Sequence, residues 1–264
     1  MHKIHGSGMP LVMVHGNGVD HQILLPLDEV LAESGVFERH YLDLPGFGQC
    51  EPLADAGGLP ELADWLEHEI RAIAGNGPFA LLGNSMGGLL CQEMADRFSD
   101  SVQGMFLIAP AVYADSKQRT LPDPAVAVAD RDLLESLSER DKQLFTDVAV
   151  IQTCPAWERF SEWVLPGLVS ANLRAMAKLS KRYFLQPLPL HREGRLSNPV
   201  SIVCGRHDHV TGFEDPHLLA TRYAELRINV IEQAGHNVHI EQPEIVEGEL
   251  RTWAEKVQRL LLPK

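Results

Sequence analysis

The chain has 264 residues, 45% hydrophobic and 22% charged, with a formal net charge of −13. That length and apolar content suit one large α/β domain with an insertion, or two small domains, around a sizeable core. The acidic balance argues against nucleic acid or an anionic membrane as partner, since both call for a basic face.

Leu11-Val12-Met13-Val14 is a short apolar run that predicts a buried strand, ending in His15-Gly16-Asn17-Gly18. Helix-compatible residues follow from about His21 to Ser34. Phe37 to Leu44 predicts a second strand, closed by the turn-rich Asp43-Leu44-Pro45-Gly46-Phe47-Gly48. Leu59 to Ala74 is an amphipathic helix with Leu62, Leu66, Ile70 and Ile73 on one face. Phe79-Ala80-Leu81-Leu82 then predicts a strand, and Leu89, Leu90, Met94, Ala95 and Phe98 recur at helical spacing. Further strands are expected at Val102–Ile108, Pro199–Cys204 and Arg227–Ile231, with a closing helix from Pro243 to Leu261. Strands alternating with helices in this way imply a mostly parallel sheet covered on both faces.

Between about Ala111 and Leu196 the alternation breaks. That stretch shows no convincing strand but several helical segments, at 130–137, 141–151, 157–164 and 171–184, punctuated by prolines. The division expected is a core of residues 1–110 and 197–264 with a helical cap inserted at 111–196. Trp157, Phe160, Trp163 and Phe184 are the aromatic residues that could line a pocket under such a cap, although most are expected to pack it.

The junction Gly83-Asn84-Ser85-Met86-Gly87 joins a strand directly to a helix. Such a turn crowds the residues two before and two after Ser85, and Gly83 and Gly87 remove the side chains that would clash there. Gly88 lets the helix sit close to the sheet. Ser85 is thereby presented at a helix N-terminus, where the dipole and free N–H groups favour developing negative charge. A serine nucleophile needs a base and an orienting acid, placed on loops at the carboxyl ends of strands. Two loops supply them: Gly205-Arg206-His207-Asp208-His209-Val210 and Glu232-Gln233-Ala234-Gly235-His236. The order along the chain is Ser85, Asp208, His236.

That order, with the loop at 15–18, Asp43-Leu44-Pro45-Gly46-Phe47-Gly48, the elbow at 83–88, Gly205-Arg206-His207-Asp208 and Ala234-Gly235-His236, resembles the α/β-hydrolase family over nearly the whole chain. The resemblance implies an acyl-enzyme mechanism and a variable cap where residues 111–196 lie. Only about ten residues precede the Leu11 strand, too few for the hairpin that usually opens this fold, so the sheet should be one strand or more short of the usual eight. Ser85 would attack a carbonyl carbon, His236 would relay the proton and Asp208 would fix the imidazole tautomer. The backbone N–H groups of Met86 and Asn17 would hold the oxyanion, with Gly18 as second choice. Asp115, beyond the Val102–Ile108 strand, is the fallback acid, because some members use that loop. His207 and His209 are read as rim or structural groups, and His239 as a structural group first, with capping or lining the site as the alternative.

Twelve histidines show no metal-ligand spacing, and Cys50, Cys91, Cys154 and Cys204 are scattered, so neither metal nor cofactor is expected. Cys50 and Cys91 are read as inert. With no apolar run near the roughly 20 residues of a membrane span and no apolar signal segment at Met1–Gly6, a cytoplasmic protein acting on a small molecule is expected, with no membrane partner. A homodimer is compatible with this reading.

Ser85 excludes the aspartate-nucleophile chemistry of the family's dehalogenases and epoxide hydrolases. Hydrolysis of a small carboxylic ester, thioester or lactone is the leading expectation. The motif Gly83-Asn84-Ser85-Met86-Gly87-Gly88 also looks like carbon–carbon hydrolases acting on dienone acids, which often carry an aromatic residue where Asn237 stands. Gly235-His236-Asn237-Val238-His239 is similar to small esterases, enol-lactonases and the menaquinone-pathway lyase. A dienone acid would need a cation for its carboxylate, and Arg174, Lys178, Lys181 and Arg182 are the supply in the cap. A ligand receptor on a hydrolase scaffold is the non-enzymatic alternative, but such scaffolds commonly lack one of the three residues, and all three are present here.

Overall fold

A computed structural model describes residues 2–54 and 57–262. In chain order its strands are β1 (His2–His5), β2 (Met9–Val14), β3 (Phe37–Leu42), β4 (Phe79–Asn84), β5 (Val102–Ile108), β6 (Val128–Ala129), β7 (Ile151–Gln152), β8 (Leu196–Gly205) and β9 (Tyr223–Ile231). The helices are α1 (Asp28–Glu33), α2 (Leu59–Ala74), α3 (Met86–Arg97), α4 (Arg131–Ser136), α5 (Glu139–Thr146), α6 (Cys154–Trp163), α7 (Leu165–Ser170), α8 (Leu173–Lys181), α9 (Val238–Glu241) and α10 (Pro243–Leu261).

Seven strands form one sheet in the order β1-β3-β2-β4-β5-β8-β9, and every pairing except that of β1 with β3 is parallel. Alternation along β2 sends Val12 and Val14 to one face and Leu11 and Met13 to the other. The first face packs under α2 and α3 through Leu62, Leu66, Ile70, Leu89 and Leu90. Val30 and Leu31 of α1 and Val246, Leu250, Trp253 and Val257 of α10 cover the second. The result is the expected mostly parallel sheet between two helical layers. Because the strands run parallel, β2, β4, β8 and β9 all deliver their following loops to one edge. There the chain leaves β2 for β3 on one side and returns to β4 on the other, the switch point at which such sheets form crevices.

β1 pairs not with β2 but with β3, His2 opposite Leu42 and His5 opposite Arg39. The opening is thus a single antiparallel edge strand, and seven strands agree with a sheet short of eight. The helix expected from His21 to Ser34 divides into a 3-10 segment at His21–Leu27 and α1. Pro26 lies inside that segment, and its missing N–H and clash with the preceding residue disfavour a regular α-helix there.

Residues 111–196 hold α4 to α8 and, contrary to the sequence reading, two strands. β6 and β7 pair in parallel, Val128 opposite Ile151 and Ala129 opposite Gln152. Two-residue strands are too short to show a period of two, which is why the pattern hid them. They also end the expected 141–151 helix early, at Thr146. Pairing at Leu196 with Tyr223 starts β8 ahead of the expected Pro199. α6 and α7 pack on the 3-10 segment after β2, while Leu179 of α8 joins the core cluster on the α2–α3 face.

His239 in α9 is buried and donates its Nε2–H to the Ile23 carbonyl at 3.0 Å, tying the last part of the chain to the turn after β2. Burial pushes its pKa down to about 4 from 6.5, so the folded protein holds this imidazole neutral. The unfolded chain takes up a proton below pH 6.5 that the folded chain refuses until about pH 4. Stability should therefore fall with pH across that window, by up to about 1.4 kcal/mol per pH unit from this group. Urea unfolding of His239→Gln over the same range should show a shallower loss; an unchanged slope would show that other groups carry it.

The elbow glycine Gly87 supplies a second test. A Cβ there would lie 2.2 Å from the Val14 carbonyl oxygen, whereas one on Gly248 of α10 would meet nothing within 4 Å. Gly87→Ala should lose about 1–3 kcal/mol or more by overpacking against backbone. Gly248→Ala should gain about 0.5–1 kcal/mol as an exposed helical substitution. Chemical denaturation of both variants checks the contrast, which equal effects would refute.

Candidate active site

Ser85 lies between β4 and α3 with φ 53° and ψ −117°, a left-handed conformation rare for a residue with a side chain. The crowding around it is visible atom by atom. A Cβ on Gly83 would come within 2.6 Å of the Gly87 carbonyl oxygen. The space that Gly87 leaves empty faces the end of β2, and a Cβ on Gly88 would lie 2.7 Å from Pro110 Cβ, in the loop after β5. The elbow is therefore packed against two neighbouring strand ends.

His236, in the loop after β9, reaches across to it. Ser85 Oγ–H donates to His236 Nε2 at 3.0 Å, and His236 Nδ1–H donates to Asp208 Oδ2 at 3.0 Å. Asp208 is fully buried, and burial opposes its charge, but His236 and the Thr211 hydroxyl and N–H outweigh that and hold its pKa below the usual carboxylate range. Its Oδ1 accepts from the N–H groups of Val210 and Thr211 at 2.8 and 3.0 Å, and Thr211 Oγ1–H donates to Oδ2 at 2.7 Å. Thr211 was not singled out from the sequence. Its signal was there, because an Asp two and three residues before the N–H groups it accepts is the pattern of an Asx turn.

The loop at 15–18 is held by a neutral histidine. His15 donates Nδ1–H to the Gly16 carbonyl at 2.7 Å, and its Nε2 accepts the Leu44 N–H at 3.0 Å, which fixes the tautomer. Burial keeps its pKa below the usual value. Asn17 is exposed at the pocket with Ser85, and its N–H meets no acceptor among the described residues. Met86 is the first residue of α3, where an N–H has no partner within the helix. Gly18 stands instead beside Leu168 and Met176, with a positive φ of 81°.

Glu241 links the His236 loop to Val150 and Ile151. Its Oε2 accepts the Gly235 N–H at 2.5 Å, next to His236, while Oε1 accepts those of Val150 and Ile151 at 2.5 and 3.1 Å. Burial raises its pKa above the usual carboxylate value despite these donors. No local pattern points to Glu241, since two of its partners lie about 90 residues away in the chain.

A cavity of about 760 Å³ opens in front of Ser85 and His236, walled by Asn17, Asp115, Arg119, Lys181, Tyr183 and Phe184 among others. Of the four aromatic residues suggested by the sequence, Phe184 alone lines it. Trp157 and Phe160 pack with Phe145, and Trp163 lies against the core cluster of the sheet face covered by α1 and α10. Asp115 is exposed and caps a turn by accepting the Lys117 N–H at 3.0 Å; among the described residues it makes no contact with His236. His209 donates Nε2–H to the Asp147 carbonyl at 2.9 Å, and His239, bonded to Ile23, does not line the cavity.

The donor atoms of Asp20, His21 and Asp43 lie within 4.8 Å of one another, a grouping of metal-ligand type. Those carboxylates are already engaged. Asp43 accepts from His21 N–H, His21 Nδ1–H and Gln49 N–H, and Asp20 accepts from the backbone and side-chain N–H of Gln22. The group holds the turn after β2 to the loop after β3. Burial raises the thiol pKa of Cys91 and Cys204, which keeps both unreactive.

Comparison with known proteins agrees with this fold. The family model described as alpha/beta hydrolase fold matches residues 9–190, more than half of the chain. A 104-residue stretch is 40% identical to the pimeloyl-[acyl-carrier protein] methyl ester esterase of Shewanella sp. (strain MR-7), covering 39% of this chain and 36% of that protein. The esterase of the same name from Shewanella woodyi is 27% identical over 239 residues, 88% of each chain. Among solved structures, an alpha/beta superfamily hydrolase from Oenococcus oeni PSU-1 superposes with a TM-score of 0.89 at 27% identity, covering 97% of this chain and 96% of that one. The chain belongs to the α/β-hydrolase family.

Proposed function

We propose that this hydrolase cleaves a small carboxylic ester through an acyl-enzyme on Ser85. The observation that carries the reading is the continuous hydrogen-bonded line from Asp208 through His236 to Ser85, ending at the wall of a cavity. The relatives named as methyl ester esterases support the same reaction class.

The chemistry follows from the donors and acceptors. With Nδ1–H committed to Asp208, Nε2 keeps its lone pair toward the Ser85 hydroxyl and accepts its proton as Oγ attacks the carbonyl carbon. The resulting imidazolium faces an ionised, buried carboxylate, which stabilises it where water would otherwise have to. The N–H groups of Met86 and Asn17 stabilise the oxyanion. His236 then hands its proton to the departing alcohol, and a water deprotonated by the same nitrogen releases the acid and restores Ser85. Residues 111–196 act as the cap that shapes the cavity, with Tyr183 and Phe184 from the segment after α8 among its walls. No helix of the described residues is long and apolar enough to cross a membrane, and the reading needs no membrane partner.

Ser85→Ala should retain the fold and lose at least about 10³-fold in kcat/KM on a short activated ester. A fluorophosphonate should label the wild type and spare this variant; absence of labelling in both would favour a ligand-binding scaffold. Asp208→Asn should lose about 10⁴-fold, because the amide stabilises the wrong imidazole tautomer. Asp115→Asn should stay close to wild type in the same assay. Equal losses would transfer the orienting role to the loop after β5.

A further inference from the structure

We infer that the cavity in front of Ser85 takes an ester carrying a second, anionic group, a carboxylate or phosphate, which Lys181 holds within the field of Arg119. This deepens the esterase reading and rests on it.

The four cations of the α8 region separate by what they already touch. Lys178 donates Nζ–H to the carbonyls of Leu53 and Ala54, and Arg182 pairs with Glu61 at 2.8 Å. Arg174 is exposed and forms no part of the cavity wall. Lys181 does line the cavity, together with Ser85 and His236, and among the described residues it meets no carboxylate. An ammonium with no partner at the wall of a substrate cavity is available to a ligand.

Arg119 adds to it in a different way. Its Nε, Nη1 and Nη2 donate to the carbonyls of Tyr113, Val210 and Ala114, each at 2.9 Å. Three neutral carbonyls fix the guanidinium in place without cancelling its charge, and no carboxylate pairs with it among the described residues. Asp115 is the opposing group in the wall, and its Oδ1 is engaged by the Lys117 N–H. Apart from His236, behind which Asp208 is buried, the cavity wall therefore carries two cations against one carboxylate. The net charge of −13 on the whole chain does not reverse this. At physiological salt, charges beyond about 8 Å are largely screened, so the groups in the wall decide. The wall also contains Ala114, Val148, Val210 and Phe184, apolar residues that suit a short apolar spacer in the substrate.

Matched ester pairs differing only in that charge test the inference. One pair carries it in the acyl half (the 4-nitrophenyl esters of glutarate and glutaramate), the other in the alcohol half (4-carboxyphenyl and 4-carbamoylphenyl butyrate). Wild type should prefer the anionic member of at least one pair by roughly fivefold in kcat/KM, the upper range for a solvent-accessible charge contact, and high salt should erode the preference. Lys181→Gln should abolish the preference through KM, and Lys181→Arg should restore it. No preference in either pair, or one that survives Lys181→Gln, would overturn the inference while leaving the esterase reading intact. Binding of monomethyl glutarate to Ser85→Ala, measured by calorimetry, gives a readout free of turnover. It should weaken by a similar factor when Lys181→Gln is added. If no ester is cleaved the esterase reading falls, and this binding ratio alone decides the anion site; an unchanged ratio or no binding overturns it.

Discussion

The close approach of the start of α3 to the end of β2 is the constraint on which the rest of the site depends. Gly87 sits where any Cβ would enter the carbonyl oxygens of Val14 and His15, at 2.2 and 2.5 Å. That contact draws the elbow down onto the strand whose following loop contains Asn17. The same closeness drives Ser85 to a φ of 53°, a strain that the surrounding parallel sheet must hold in place. It sets the Ser85 hydroxyl, at the start of α3, on the same cavity wall as Asn17. Were α3 set further from the sheet, the backbone at Ser85 could relax and the donors would separate.

Around this point the structure manages two buried carboxylates in opposite ways. Asp208 gathers donors on both oxygens, with His236 among them, and its pKa stays low in spite of burial. Glu241 is also given three backbone N–H groups, yet burial dominates and its pKa is raised. The difference lies in the partner that can carry charge. Asp208 faces an imidazole able to become cationic, whereas Glu241 faces only amides and feels the negative Asp208 nearby. One carboxylate is thus kept as a charge beside the His236 imidazole. The other serves as a clamp between Gly235, the neighbour of His236, and Val150 and Ile151 at the start of β7.

Much of this was legible in the residues because it is written locally. The elbow glycines, the apolar runs of β2 and β4 and the amphipathic α2 are short-range patterns imposed by backbone sterics and by burial on one face. Asp208 and His236 could be chosen because each follows a predicted strand and a parallel sheet sends such loops to the same edge. Thr211 was within reach through the Asx turn. Glu241, by contrast, depends on partners about 90 residues away, and β6 and β7 on a pairing too short to leave a period. Within residues 111–196, composition named the aromatic residues but could not separate Phe184 at the cavity from Trp157 and Phe160 in a cluster with Phe145. On short helices with apolar residues on several sides, spacing does not decide which side meets the core.

The cations of the α8 region show the same limit and also what the fold adds. By helical spacing Arg174, Lys178 and Lys181 share one face of α8, which suggests a common, solvated role. The structure assigns them separate environments, because the helix end runs past two different surfaces. Lys178 meets the carbonyls of Leu53 and Ala54, Lys181 arrives at the cavity, and Arg182 turns back to Glu61 at the start of α2. An ammonium that is tied to protein acceptors has little left to offer a ligand, and a solvated one off the cavity wall is poorly placed to meet a ligand bound there. Selectivity for charge in this cavity thus turns on where α8 ends relative to β4 and β9. That geometry is set by the contact of Ala175 with the loop at Gly46 and by Leu179 in the core, residues that carry no charge themselves.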